Sequence, residues 1–204
     1  MELKDEYENF YKYHFGDIEL SAYVFYKFPI GIRFKIGEGD YKSSNYVEAA
    51  VRRAMAIFSE LFNQDDIVFI VINSFEDNPN DLAINDISAA QPLINLVLDK
   101  YSYDFRSAQD DFSCKRYVMK SSVRSIQILK LIEEIVRSDI YGVNSLNSGV
   151  YLFNERNGIL YHLYDDRGLD VIADDKGKLI GLYSKFNDWI LDYDRGKIDR
   201  VFLS

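Results

Sequence analysis

Residues 150–173 read VYLFNERNGILYHLYDDRGLDVIA. Two strand-like runs, Val150 to Asn154 and Ile159 to Tyr164, flank Glu155-Arg156-Asn157-Gly158. Asn-Gly is a strong hairpin signal, because both residues tolerate the positive φ that a tight reversal needs. A second reversal at Asp165-Asp166-Arg167-Gly168 leads into Leu169 to Ala173. The stretch predicts a three-stranded antiparallel meander. Asp175 then stands where it can cap a final helix with Leu179, Leu182, Tyr183, Phe186, Trp189 and Ile190 on one face.

Upstream, Leu3 to Phe15 carries Leu3, Tyr7, Phe10, Tyr11 and His14 at helical spacing. Ile30, Ile32, Phe34 and Ile36 alternate with Gly31, Arg33 and Lys35, the pattern of a half-buried strand. Asn45 followed by Glu48 forms a capping-box signature for a helix to about Phe62. Asp66 opens the run IVFIVIN, apolar on both faces and so expected inside a sheet. Asp77 to Asp86 reads as a loop, Gln91 to Tyr101 as a helix with Pro92 in its first turn, and Arg116 to Lys120 as a short strand. Ser121-Ser122 reads as the cap of the longest helix, running to about Ile140. The class is α+β, with helices packed on a largely antiparallel sheet and the meander followed by a helix. A single domain over 1–204 is expected, with a strand and helix half over about 1–112 and a helix plus meander half over about 113–204.

The 204 residues are 48% hydrophobic and 15% aromatic, with a net charge of −9. This excludes a disordered chain and disfavours general binding of phosphate backbones. The first ten residues, MELKDEYENF, hold no apolar segment of a secretory signal, and no run approaches a membrane span. Cys114 stands alone and the only histidines are His14 and His162, so Cys/His zinc sites are excluded by count. Gly31, Gly37 and Gly39 make neither usual phosphate-loop spacing. No cofactor is expected. The acidity is uneven: Asp65 to Asp111 holds ten acids against Lys100 and Arg106, a local balance of −8.

Two polar clusters are the candidate sites. Asp165, Asp166, Arg167 and Asp170 fall on or beside the second reversal. Carboxylates on a turn can hold Mg²⁺ or Ca²⁺ through oxygen, and an Arg among them can clamp a phosphate or carboxylate. The competing reading is structural: Asp and Gly suit turns, and Arg167 neutralises its Asp neighbours. If any metal is bound, Asp165, Asp166 and Asp170 are its candidate ligands. Asp192, Tyr193, Asp194 and Arg195 follow the expected last helix. Either they complete one polar site with the Asp165 turn, or Arg195 pairs with an Asp to dock the tail. Both readings share the expectation that Arg167 or Arg195 links the two clusters. His162 shares a strand face with Leu160 and Tyr164, as a packed strand residue or as a base for a neighbouring carboxylate. Tyr7, Tyr11, Tyr13, Tyr23, Tyr26, Tyr101 and Tyr103 cluster in the first half, as core filler or as a binding face.

The motifs Tyr164-Asp165-Asp166-Arg167-Gly168-x-Asp170-Val171 and Trp189-Ile190-Leu191-Asp192-Tyr193-Asp194-Arg195 resemble those of DUF3885. This is a bacterial domain family of unknown function, found mainly in Bacillus and related Firmicutes. The likeness extends to Gly31-Ile32-Arg33-Phe34, Arg53-Ala54, and Glu60-Leu61-Phe62 followed by Asp66. The family often has Cys after Arg-Gly. Leu169 stands there in this chain, which argues against a required thiol. The resemblance implies a cytoplasmic bacterial protein and no particular reaction.

The function expected is a non-catalytic cytoplasmic protein-binding domain, of the toxin-neutralising immunity type or an adaptor. It would meet a basic protein partner through an acidic, Tyr-rich surface that includes Asp77, Asp81 and Asp86. Membrane and nucleic-acid partners are not expected. The alternative is a divalent-cation-dependent enzyme acting on a phosphate or sugar substrate through the Asp165–Asp170 carboxylates.

Overall fold

The structure is a computed structural model that describes residues 2–43, 45–75, 99–106, 113–141 and 148–204. Seven antiparallel strands form one sheet: β1 (Gly31–Lys35), β2 (Ile67–Phe75), β3 (Asp99–Arg106), β4 (Ser113–Ser122), β5 (Ser148–Asn154), β6 (Ile159–Leu163) and β7 (Gly168–Ile172). Their spatial order is β1-β7-β6-β5-β2-β4-β3. The meander β5-β6-β7 is present as the two reversals require, and Gly158 takes φ 64° in the first. The IVFIVIN strand lies inside the sheet, between β4 and β5.

The helices are α1 (Leu3–Phe15), α2 (Val24–Lys27), α3 (Tyr46–Leu61), α4 (Ile128–Tyr141), α5 (Ile180–Lys185) and α6 (Asp192–Phe202). They cover both faces of the sheet. On one face Ile32, Phe34, Ile70, Ile72, Leu152, Tyr161 and Val171 are all buried. There α3 packs through Phe58 and Phe62 against Tyr161, whose hydroxyl donates to the Ala54 carbonyl at 3.1 Å. On the other face α1 lays Tyr7, Phe10, Tyr11 and Phe15 against Phe69 and Phe153. The aromatic excess in the first half thus divides. Tyr7 and Tyr11 fill this second core layer, while Tyr13, Tyr23 and Tyr26 stay exposed.

Four expectations need correction. Tyr101 is not helical but lies in β3; residues 91–98 are outside the described residues. Tyr101 and Tyr103 share one face of β3 and stack at 5.8 Å, the period-2 signature of a strand. Ser122 does not start a helix. Strand β4 pairs with the whole of β2, as far as Ser122 opposite Ile67, so the chain stays extended there. A 3-10 turn, Val123–Ser125, follows without a side-chain cap from Ser122, and α4 begins only at Ile128. Asn45 occupies the N-cap of α3 without the side-chain cap hydrogen bond of a capping box.

The single C-terminal helix is instead broken into pieces. Asp175 caps only the 3-10 turn Lys176–Lys178, accepting from the Gly177 N–H at 2.6 Å. After α5 the chain turns extended at Ile190 and Leu191 because it docks on the sheet edge. Ile190 bridges Phe34, and the Leu191 N–H donates to the Arg33 carbonyl at 2.9 Å. Asp192, Tyr193, Asp194 and Arg195 therefore form the first turn of α6 rather than a tail.

Candidate functional site

Strand alternation places Arg33, Asp170 and His162 on the α1-covered face, as cross-strand neighbours on β1, β7 and β6. Arg33 grips Asp170 with two near-parallel hydrogen bonds, Nε to Oδ1 at 2.7 Å and a terminal nitrogen to Oδ2 at 2.8 Å. The other terminal nitrogen lies 3.9 Å from Asp194 Oδ2, on the first turn of α6. The Asp170 side chain is 0% exposed and that of Asp194 5%. Tyr26 of α2 donates to Asp194 Oδ2 at 3.2 Å. The Arg33 guanidinium sits over the rings of Phe25, Tyr26 and Tyr164. Lys197 of α6 donates to the Phe25 carbonyl at 3.0 Å and lies over the Phe25 ring. One arginine thus ties β1, β7, α2 and α6 together.

Burial pushes Asp170 up to about 6, against the pull of Arg33 and with some help from Asp194. For Arg33, burial works against the charge, but Asp170 more than offsets it and holds the guanidinium above its ordinary range. Burial likewise pushes the His162 imidazole down to about 4. The His162 ring stacks on Tyr151 at 4.1 Å, and Nδ1 meets the Val150 carbonyl at 2.9 Å. Its Nε2 is buried without a protein partner. His162 is therefore a packed strand residue that favours the neutral state.

The adjacent carboxylates go separate ways, as neighbours in a chain reversal do. Asp165 folds back on its own turn. It accepts from the Arg167 N–H at 2.7 Å, from the Gly168 N–H at 3.3 Å and from the Arg167 guanidinium. Asp166 faces α3 and accepts from the Tyr46 hydroxyl at 2.7 Å. Tyr164 closes over Gly168 so tightly that a Cβ there would overlap the tyrosine hydroxyl, which explains a glycine after Arg167. Arg195 donates to the side chain and carbonyl of Asn187 and stands near Asp192. Among the described residues no group of His, Cys, Asp or Glu side chains converges to hold a metal ion.

The sequence-derived candidates are thus distributed over three places. Asp170 and Asp194 come together, Asp165 pairs with Arg167, and Arg195 turns to Asn187. Neither Arg167 nor Arg195 links the two clusters: one is held within its own turn, the other at the entry to α6. The link is Arg33, whose signal was a cation in the middle of β1, within Gly31-Ile32-Arg33-Phe34, where the strand's other cation, Lys35, stands exposed at its end. Asp77, Asp81 and Asp86 lie outside the described residues.

A groove of about 310 Å³ opens above Arg33, lined also by Tyr23, Tyr164, Asp165 and Arg167. Tyr23 in its lining is about half exposed, as is Tyr26, whose ring lies against the Arg33 guanidinium, and Tyr193 is 86% exposed on the first turn of α6.

An antiparallel α+β fold fixed by buried Asp–Arg contacts defines the class of protein. The chain belongs to the DUF3885 family, described as a domain of unknown function, whose profile matches residues 7–194. It is similar to the Bacillus subtilis (strain 168) uncharacterized protein YnaE, with 24% identity over 200 residues, covering 88% of this chain and 94% of that one. No solved structure matches.

Proposed function

We propose that this chain is a non-catalytic protein-binding domain acting in the cytoplasm, an immunity-type or adaptor protein whose partner is basic. The observation that carries this reading is the internal engagement of the motif carboxylates. Asp165 accepts from Arg167, Asp166 from Tyr46, and Asp170 from Arg33, each with different partners on different elements. A hydrolytic site needs carboxylates that converge on one reacting atom or one cation, and these diverge. His162, the nearest base, is buried and stacked on Tyr151 rather than open to a substrate.

What is left at the surface suits recognition. Tyr23, Tyr26 and Tyr193 are exposed, and tyrosine offers large contact area at low entropic cost. The net charge of −9 favours encounter with a basic partner, and the strongest acidity lies in the segment that includes Asp77, Asp81 and Asp86.

The test is affinity capture from the native host with mass spectrometry. It compares the wild-type chain with the triple variant Asp77→Lys, Asp81→Lys, Asp86→Lys, both checked by circular dichroism. The expected result is a basic protein retained by the wild type at low salt, released at high salt, and lost by the folded variant. Capture that ignores the charge reversal, or cation-dependent turnover of a phosphate ester by the purified chain, overturns the proposal.

A further inference from the structure

The groove above Arg33 presents hydrogen-bond donors, while the carboxylates beside it are already satisfied. Its lining is Ala22 and Tyr23 from the stretch before α2, Arg33 of β1, and Tyr164, Asp165 and Arg167 of the reversal between β6 and β7. Asp165 accepts two main-chain N–H groups through Oδ1 and the Arg167 guanidinium through Oδ2. Asp170 uses both oxygens on Arg33. The Arg33 guanidinium itself is engaged on one edge only. Nε and one terminal nitrogen hold Asp170. Among the described residues the other terminal nitrogen makes no hydrogen bond: Asp194 Oδ2 is 3.9 Å away and already accepts from the Tyr26 hydroxyl at 3.2 Å. Only 12% of the Arg33 side chain is exposed, yet this nitrogen is open to water, whereas Tyr151 Oη and His162 Nε2, deeper on the same face, are sealed and unpartnered.

The hydroxyls of Tyr23 and Tyr164 likewise make no hydrogen bond among the described residues, and Arg167 brings a guanidinium that is 72% exposed. A ligand entering the groove therefore meets donors and aromatic faces, and it must bring the acceptor. A half-engaged, mostly buried guanidinium is matched best by an oxyanion. The charge of that oxyanion follows from the surroundings. Arg33, Arg167 and Lys197 do no more than balance Asp165, Asp170 and Asp194, so the donors suit one negative charge better than the two of a phosphate monoester. A volume of about 310 Å³ lies at the small end of ligand pockets, and the Tyr23 and Tyr164 rings offer flat apolar sides.

We propose that this groove binds a small organic carboxylate with a flat apolar body, a ligand distinct from the basic protein partner. The carboxylate accepts from the open Arg33 nitrogen and from the Tyr164 hydroxyl, with Arg167 beside it, and the body lies against the Tyr23 ring. Asp170 then acts as a positioning residue: by holding one edge of the guanidinium it fixes the other edge for the ligand.

The experiment is a ligand-observed NMR titration of the purified full chain, near neutral pH, with benzoate, phenylacetate and hydrocinnamate. Each acid is compared with its neutral amide, and phenyl phosphate serves as the dianion. The expected result is saturable binding of at least one carboxylate, with a dissociation constant on the order of 1 mM and an amide that binds about tenfold more weakly or worse. Arg167→Gln and Tyr164→Phe, both checked by circular dichroism, should each weaken that binding about threefold or more. Arg33→Lys keeps the charge but loses the open edge and should weaken it about tenfold or more; where that variant fails to fold, the other two decide. Amides that bind as well as their acids overturn the proposal, as does tighter binding of phenyl phosphate. Carboxylate binding indifferent to the folded variants also overturns it, and so does the absence of saturable binding at concentrations well above that constant.

Discussion

His162 and Asp170 face each other across β6 and β7, and burial moves their titrations in opposite senses. The His162 imidazole ordinarily titrates at 6.5 and falls to about 4 in the fold. The fold therefore gains from neutral His162 at any pH above 6.5 and loses that gain as pH falls toward 4. Asp170 ordinarily titrates at 3.8 and rises to about 6. Its contribution is fully present below 3.8 and is lost as pH rises through 6. At 1.36 kcal/mol per pKa unit, each effect is worth about 3 kcal/mol, with opposite sign over nearly the same window. In the wild type they offset each other. His162→Phe keeps the ring that stacks on Tyr151 and removes the titration. Relative to the wild type, it should gain about 3 kcal/mol between pH 7 and pH 4. Asp170→Asn should lose a similar amount over the same range. Urea denaturation followed by Trp189 fluorescence, at several pH values, reads both differences. Subtracting the wild type removes the shared contributions of Asp174 and Glu6, which their cationic neighbours hold below the ordinary carboxylate range. A difference between His162→Phe and wild type that does not change with pH would refute the reasoning.

Two further substitutions probe local packing. Gly158→Ala should destabilise the chain by about 1–3 kcal/mol, since Gly158 has φ 64° and its added Cβ would overlap the His14 ring; thermal denaturation measures it, and His14→Ala should recover only the steric part. Tyr46→Phe strips Asp166 of the phenol that donates to it and should cost about 1–3 kcal/mol in urea, whereas no loss would mean that this contact does not hold α3 to the turn.

The readable parts of the fold were those set by local chemistry. Asn157-Gly158 marked the first reversal, the run from Ile67 to Asn73 marked an interior strand, and the spacing of Leu3, Tyr7, Phe10 and Tyr11 marked α1. The misreadings came where a distant partner decides the conformation. Ser122 stays extended because Ile67 pairs with it, and Ile190 because Phe34 does. The site followed the same rule. The carboxylates of the two motifs were visible as a set, yet which of them meet depends on Arg33, more than 130 residues upstream of Asp170. Register across β1 and β7 brings them together, and no spacing rule along the chain encodes it. Asp165 and Asp166, grouped as candidate ligands of one metal, separate because adjacent side chains in the reversal diverge.

The central proposal is that Asp170, from the first family motif, helps to hold the fold through its buried pair with Arg33. A double-mutant cycle on Arg33 and Asp170, by urea denaturation at pH 7.5 where Asp170 is ionised, tests it most directly. Arg33→Met and Asp170→Leu should each cost about 3–5 kcal/mol, because each strands a buried charge, while the double variant should cost less than the sum of the two. Single variants as stable as the wild type, or losses that add to within about 0.5 kcal/mol, would contradict it.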